Sequence, residues 1–354
     1  MSDDRSWLSA DYPELRDGPP WVMEEMILAQ PGLPSAILAA DPARDALAAA
    51  IRAAAGRGEP VAITGCGTSE HACMAVAELL REALPGAWVE SRQALDAAAA
   101  PHQGGVCVGI SHDGGTRATL LALEAARGAG ATIGVITAVP DSKVAAAAEH
   151  VVVTPLRDRS WCHTVAYTSA ICAGAGLAGG ADPERLDAAV EAAIGLRPQL
   201  MGAAASVHGG RRIVTTGFGS SHISARELAL KIEEGARIPA TAHQLETLLH
   251  GHLAGCDADT TAVVRFAGER RSGELIETRS RQADAALAAI GIPVAVIGPS
   301  LGLPEPASTA EALVAEAVAL QLFTLELAHL AGTNPDLIRR EERPYREAAA
   351  AAGG

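Results

Sequence analysis

The stretch Glu227-Leu228-Ala229-Leu230-Lys231-Ile232-Glu233-Glu234 sets Glu227, Lys231 and Glu234 at i, i+4 and i+7, on one face of a helix. A lysine between two carboxylates keeps its proton and can stabilise charge developing on an oxygen. A carboxylate beside it can carry a proton between adjacent carbons of an open-chain sugar. The same spacing also builds an ordinary salt-bridge ladder on a solvated face. Lysine usage bears on the choice, because of 28 basic residues only Lys143 and Lys231 are lysines. An ammonium is a compact, tunable charge that a guanidinium does not replace. A lysine kept in so arginine-rich a chain therefore points towards a need for it.

A second group of residues lies in two glycine loops. Gly65-Cys66-Gly67-Thr68-Ser69 and Ser111-His112-Asp113-Gly114-Gly115-Thr116 each follow an apolar run and open a helical pattern. Ser111, Thr116, Thr68 and Ser69 offer hydroxyls, and the helix starts offer N–H donors to an anion or a polyol. Ordinary strand–helix turns with caps have the same appearance. A dinucleotide fingerprint fits poorly, since Glu70 stands where the third glycine would be. The first loop returns as Gly217-Phe218-Gly219-Ser220-Ser221-His222 after Ile213-Val214-Thr215-Thr216, the mark of a duplicated unit. Histidines form the third group. His243, His250 and His252 stand near Glu246 and Thr247, and His112, His163 and His222 fall in or near loops. A histidine of near-neutral pKa suits protonation of a sugar ring oxygen, although a residue such as His112, His163 or His222 is more often structural than catalytic. His250-x-His252 lacks a carboxylate or cysteine at ligand spacing, so no metal is expected.

The elements that must position these residues alternate. The pattern predicts strand 60–64, helix 69–82, a strand near 86–90, helix 92–99, strand 105–110, helix 116–128, strand 131–137, a short helix 142–148, strand 150–153 and helix 164–178. After an Ala-rich bridging helix from Pro183 to about Ser206 the pattern repeats: strand 212–216, helix 222–235, a strand near 237–241, helix 243–250, strand 261–266, helix 272–289, strand 293–298 and a long helix 309–331. A helix from Trp21 to Leu38 broken at Gln30-Pro31-Gly32, and one capped by Asp41, precede them. Such alternation requires an α/β fold with parallel sheets, here two tandem doubly wound, flavodoxin-like domains. Ligands bind beyond the C-terminal strand ends, where the glycine loops fall. The expected bounds are a loose leader 1–20, a first domain 21–180, a linker helix 181–208, a second domain 209–332 and a C-terminal loop and tail 333–354.

Composition narrows the function. The 354 residues are 49% hydrophobic but only 3% aromatic, with net charge −14, which opposes a nucleic-acid partner. No run of 18 apolar residues suggests a membrane span, and the acidic N-terminus does not resemble a signal peptide. Six cysteines without a C-x-x-C pair read as reduced, mostly buried thiols of a cytoplasmic protein. No cofactor is expected.

At these residues the chain resembles double sugar isomerase (SIS) domain proteins. It is similar to the isomerase half of glucosamine-6-phosphate synthase and to stand-alone aminosugar-phosphate isomerases, deaminases and fructosamine-6-phosphate deglycases. The likeness runs from about Met23 to Arg343. It is carried by Met23-Glu24-Glu25-Met26 through Gln30-Pro31, Gly65-Cys66-Gly67-Thr68-Ser69, Ala229-Leu230-Lys231 with Glu234, Leu249-His250-Gly251 and Gly332-Thr333-Asn334-Pro335-Asp336. The resemblance implies a sugar or aminosugar phosphate isomerase or deaminase without glutamine hydrolysis. Glu234 would move a proton between C1 and C2. His250 would help open the ring, supplied across a homodimer interface, and Lys231 and Glu227 would neutralise the enediolate. Cys66, Gly67, Thr68, Ser69, Ser111, His112, Asp113, Thr116, His163, Ser220 and Arg343 would line the sugar or sugar-phosphate site. The sequence departs from the family in three places: Asp113 replaces a phosphate-facing serine, Thr247 stands where glutamate is common, and Arg343 lies near the position of a catalytic lysine. Asp113 leaves open an unphosphorylated substrate, and a non-catalytic sugar-binding regulator is the reading from another class.

Overall fold

In the computed structural model, which describes residues 12–268 and 273–352, the apolar runs become parallel strands. The first half holds β1 (Val61–Gly65), β2 (Val89–Gln93), β3 (Val106–Ile110), β4 (Thr132–Thr137) and β5 (His150–Val153) in the order β2-β1-β3-β4-β5. The second holds β6 (Arg212–Gly217), β7 (Ala240–Gln244), β8 (Thr261–Phe266) and β9 (Val294–Ile297) in the order β7-β6-β8-β9. The second order repeats the first without its last strand, and all ladders are parallel. Two α/β sheets of flavodoxin-like order are therefore present, as the sequence pattern requires. Strands β1, β3 and β8 are buried along their whole length because helices cover both sheet faces.

Helix starts follow local chemistry. Asp41 accepts from Ala43 N–H ahead of Pro42–Gly56, Asp182 from Glu184 and Arg185 ahead of Pro183–Gly195, and Ser308 from Glu311 ahead of Thr309–Ala331. The two glycine turns use another device. Gly67 (φ 58°, ψ −128°) and Gly219 (φ 55°, ψ −129°) have nearly the same backbone, one that L side chains rarely adopt. A Cβ on Gly217 would lie 2.5 Å from the Ser221 carbonyl oxygen, so strand and helix approach too closely for any other residue there.

Several boundaries differ from the pattern. The bridging segment is two helices, Pro183–Gly195 and Arg197–Val207, because Pro198 has no N–H and its ring clashes within a continuous helix. The helix expected over 222–235 ends as an α-helix at Lys231 and widens into a π turn, Ile232–Ala236. Residue 272, the expected start of another helix, lies outside the described residues, and that helix runs Glu274–Ile290. The leader is not loose where it is described, since Tyr12 lies against Trp161 and Arg16 pairs with Glu25 at 2.7 Å; residues 1–11 lie outside the described residues. The C-terminal segment is anchored as well. The buried Asp336 carboxylate accepts from Val22 and Met23 N–H at 2.8 and 2.7 Å, closing the start of Val22–Leu28.

The two lobes meet where Thr68–Ala83 packs on Ser220–Lys231. Thr309–Ala331 packs against Ser220–Lys231 and the helices beginning at Pro183 and Arg197. It is long and apolar enough to cross a membrane, but 89% of its apolar window is buried inside the protein. All six cysteines are free thiols, with Cys66 half-buried and the others buried.

Candidate functional site

The first glycine loop, the loop after β3 and the π turn converge on a cleft of about 290 Å³ beyond the C-terminal ends of β1 and β3. Of the residues nominated from sequence, Cys66, Gly67, Thr68, Ser69, His112, Asp113, Thr116, His163 and Glu234 line it. Trp161, Ile338 and Arg340 complete the wall and were not nominated.

Beneath the cleft lies a buried charge network spanning both lobes. Lys231, with no exposed side-chain surface, donates to Glu234 Oε2 at 2.5 Å and stands 3.6 Å from Glu227 Oε1. Glu227, also wholly buried, accepts from Thr68 Oγ1 at 3.0 Å and meets His71 Nδ1 at 2.7 Å. Burial by itself would strip the Lys231 proton, but Glu234 and Glu227 outweigh it and hold the ammonium charged. Burial would likewise protonate Glu227; Lys231, His71 and Thr68 reverse that and lower its pKa. Glu234 keeps 21% of its side chain exposed and is the one member of the triplet that reaches the cleft. The solvated ladder is therefore excluded: the helical spacing points inwards.

Lys231 does not line the cleft, where the resemblance would put it against the ligand; its contact with the cleft runs through Glu234. Thr68 spends its hydroxyl proton on Glu227 and offers a ligand only an acceptor oxygen. Ser111 is buried behind Thr116 and donates to Thr116 Oγ1 at 3.3 Å.

The loop after β3 carries its own electrostatic answer to Asp113. Arg157 Nε donates to Asp113 Oδ1 at 2.9 Å, so the aspartate faces the cleft as half of an ion pair. Burial, reinforced by His163, pushes the pKa of His112 down to about 4, against the pull of Asp158 and Asp113. The neutral ring accepts the Asp158 N–H on Nε2 at 2.7 Å, which leaves the proton on Nδ1. Burial raises the Cys66 thiol above its ordinary value, so it is no ready nucleophile.

Three nominated residues lie elsewhere. His250 is 74% exposed at its side chain and pairs with Glu246, outside the cleft of its own chain. Arg343 is 81% exposed and pairs with Glu347, so the cation that reaches the cleft from the C-terminal segment is Arg340. Ser220 is buried at the start of the second lobe's helix. Its neighbours explain why that duplicate loop takes no part in the cleft: Ser221 and Ser224 hydroxyls donate to the buried Glu316 carboxylate at 2.6 Å each, and Gly268 N–H donates to it at 3.1 Å. An internal carboxylate thus occupies the donors that would serve an anion.

With this geometry in hand, the sequence matches the SIS domain at residues 57–174 and 207–292, more than half of the chain and one segment per lobe. The chain belongs to the SIS domain family. Solved structures superpose over about nine-tenths of its length. The C-terminal domain of glucosamine-fructose-6-phosphate aminotransferase from Francisella tularensis is 20% identical with TM-score 0.76, covering 91% of this chain and 99% of that one. Tagatose-6-phosphate ketose/aldose isomerase from Escherichia coli is 19% identical with TM-score 0.77, covering 90% and 95%. Glucosamine-6-phosphate deaminase from Thermotoga maritima is 18% identical with TM-score 0.71, covering 89% and 96%. At these identities the likeness establishes the fold. No curated protein matches the sequence.

The residues missed from sequence left weak signals. His71 stands three positions after Thr68, on the same helix face, but its partner is 156 residues away. Trp161 is one of four tryptophans in a chain poor in aromatics and stands two residues before the nominated His163, the one local signal that could have found it.

Proposed function

We propose that this chain interconverts the aldose and ketose forms of a phosphorylated sugar or aminosugar by proton transfer between C1 and C2, without glutamine hydrolysis. The observation that carries the reading is the Glu227–Lys231–Glu234 network, which delivers Glu234 to a cleft whose other carboxylate, Asp113, is paired with Arg157 and whose walls carry hydroxyls and helix N-termini. Glu234 takes the C2 proton of the open-chain aldose and returns it to C1, leaving an enediolate between the two steps. Lys231 fixes the direction of Glu234 from below, and Glu227 holds Lys231 in place. Ser69, Thr116 and the N–H groups opening the Thr68–Ala83 and Arg117–Gly128 helices bind the phosphate end. Asp113 does not oppose this, because Arg157 neutralises it.

His250, exposed and outside its own cleft, fits a role in a homodimer, opening the sugar ring held by the partner subunit. Loss of ammonia from C2 of an aminosugar is a variant of the same proton chemistry.

The test is exchange with D2O of the C1 proton of fructose 6-phosphate and of the C2 proton of glucosamine 6-phosphate, followed by NMR. Exchange is expected in the wild type, with a drop of at least about 10²-fold in Glu234→Gln. Tight binding of either sugar without exchange would favour the non-catalytic regulator instead.

A further inference from the structure

The cleft contains one cation that neither lobe supplies. Arg340 reaches it from the C-terminal segment, and among the described residues no carboxylate pairs with it. Its neighbours are treated differently. Arg339 pairs with Glu342, Arg343 with Glu347, Arg237 with Glu341 and Glu342, Arg157 with Asp113, and Arg159 with Glu25. In a chain with 42 acidic residues and net charge −14, a cleft arginine left without a carboxylate is a charge kept available. Instead its guanidinium lies 4.8 Å from the centre of the Trp161 ring, which holds the group while leaving its N–H edge free to donate.

The backbone that presents Arg340 is strained. Ile338 and Arg339 are consecutive non-glycine residues at φ 43° and 66°, and one is β-branched, a conformation such residues avoid. Both flanks are fastened. Asp336 is bound to Val22 and Met23 N–H on one side, and Arg346 Nη1 donates to the Arg340 carbonyl at 3.0 Å on the other. Strain of this kind persists only where the surroundings over-determine it, and here it aims Ile338 and Arg340 into the cleft. Asp113 completes the argument: paired with Arg157 its charge is offset, but a carboxylate has no proton to donate, so an anion in this cleft needs a donor from elsewhere.

From these observations we infer that Arg340 is the specificity-determining residue for the substrate's phosphate monoester, taking its oxygens through the guanidinium edge while Trp161 holds the face. This rests on the isomerase reading for the identity of the sugar, but not for the anion site itself. Arg340 reads the phosphate; it takes no part in the proton transfer.

The test uses the full-length chain. Binding of inorganic phosphate is measured by calorimetry, and tryptophan emission is followed in the same titration, because an anion on Arg340 changes the field at Trp161. The wild type is expected to bind phosphate with a saturable emission change. Arg340→Gln should weaken binding at least tenfold, Arg340→Lys should recover part of it, and Trp161→Phe should remove the emission change. In turnover, Arg340→Gln should lower the preference for fructose 6-phosphate over fructose at least 30-fold, through KM. Equal losses on both sugars would mark Arg340 as a mere clamp on the C-terminal segment and overturn the inference, as would phosphate binding unaffected by Arg340→Gln. Absence of exchange at C1 of fructose 6-phosphate and at C2 of glucosamine 6-phosphate, with an intact Arg340-dependent phosphate site, would instead sink the isomerase reading and leave this one standing.

Discussion

Replacing Lys231 by methionine tests the buried network most directly. Methionine nearly matches the lysine stem in volume, so packing is kept and only the ammonium is lost. Glu234 keeps access to water, but Glu227 is wholly buried and loses its cation, retaining only Thr68 and His71. Removing one partner of a buried ion pair costs about 3–5 kcal/mol, since the other charge is left uncompensated. For a chain of this length the unfolding entropy makes that a fall in Tm of about 4–7 °C. Thermal unfolding by calorimetry at pH 7 reads the shift, and Lys231→Met combined with Glu227→Gln supplies the control. In the double variant the buried charge is gone, and most of the lost stability should return. A fall in Tm below about 1 °C for the single variant, or a double variant no better than the single, would refute the claim that these charges are interior and coupled.

Further outcomes follow from other parts of the site. The pKa of His112 in the fold, about 4, lies below its ordinary 6.5, so its stabilising contribution is complete above pH 6.5 and is lost as pH falls towards 4. That amounts to about 3 kcal/mol across the window, and His112→Gln should flatten the corresponding part of a stability–pH curve measured by urea unfolding. Arg157→Ala unmasks Asp113 and should raise KM for fructose 6-phosphate about fivefold with kcat little changed, the effect of about 1 kcal/mol of screened repulsion. Gly114 sits at φ 65°, with room for a Cβ only 1.9 Å from Ser142 Oγ. Gly114→Ala should therefore cost at least about 1 kcal/mol from backbone conformation alone, and Ser142→Gly in the same chain should recover only the steric remainder in thermal unfolding. Mixing Glu234→Gln and His250→Ala chains should restore about a quarter of wild-type activity per site if His250 serves the partner subunit's cleft, whereas no recovery would confine each site to one chain.

Much of the fold was written along the chain. Central strands β1, β3, β6 and β8 are rich in β-branched and apolar residues, β1 and β6 end in glycine, and the bounds of all four fall within a residue or so of expectation. The edge strands β2 and β7 both begin about three residues later than the pattern suggested. Their residues, such as Glu90, Ser91 and Arg92 in β2 or Thr241 and His243 in β7, carry little apolar alternation. Their register comes instead from pairing to the central strand, Val61 with Val89 and Ile213 with Ala240.

The site divides the same way. Local sequence determined that Glu227, Lys231 and Glu234 share a helix face and that Gly65 to Ser69 opens another helix, because both properties arise from backbone periodicity and glycine stereochemistry within a few residues. Which way that face points was decided only when the two lobes packed, and the contact buries Glu227 against Thr68 and His71 from 156–159 residues away. Tertiary structure alone also decided that Arg157 cancels Asp113, that Glu316 fills the duplicate loop, and that Arg340 rather than Arg343 enters the cleft. Charge pairing acts through space over a few ångströms, and no sequence interval records that distance.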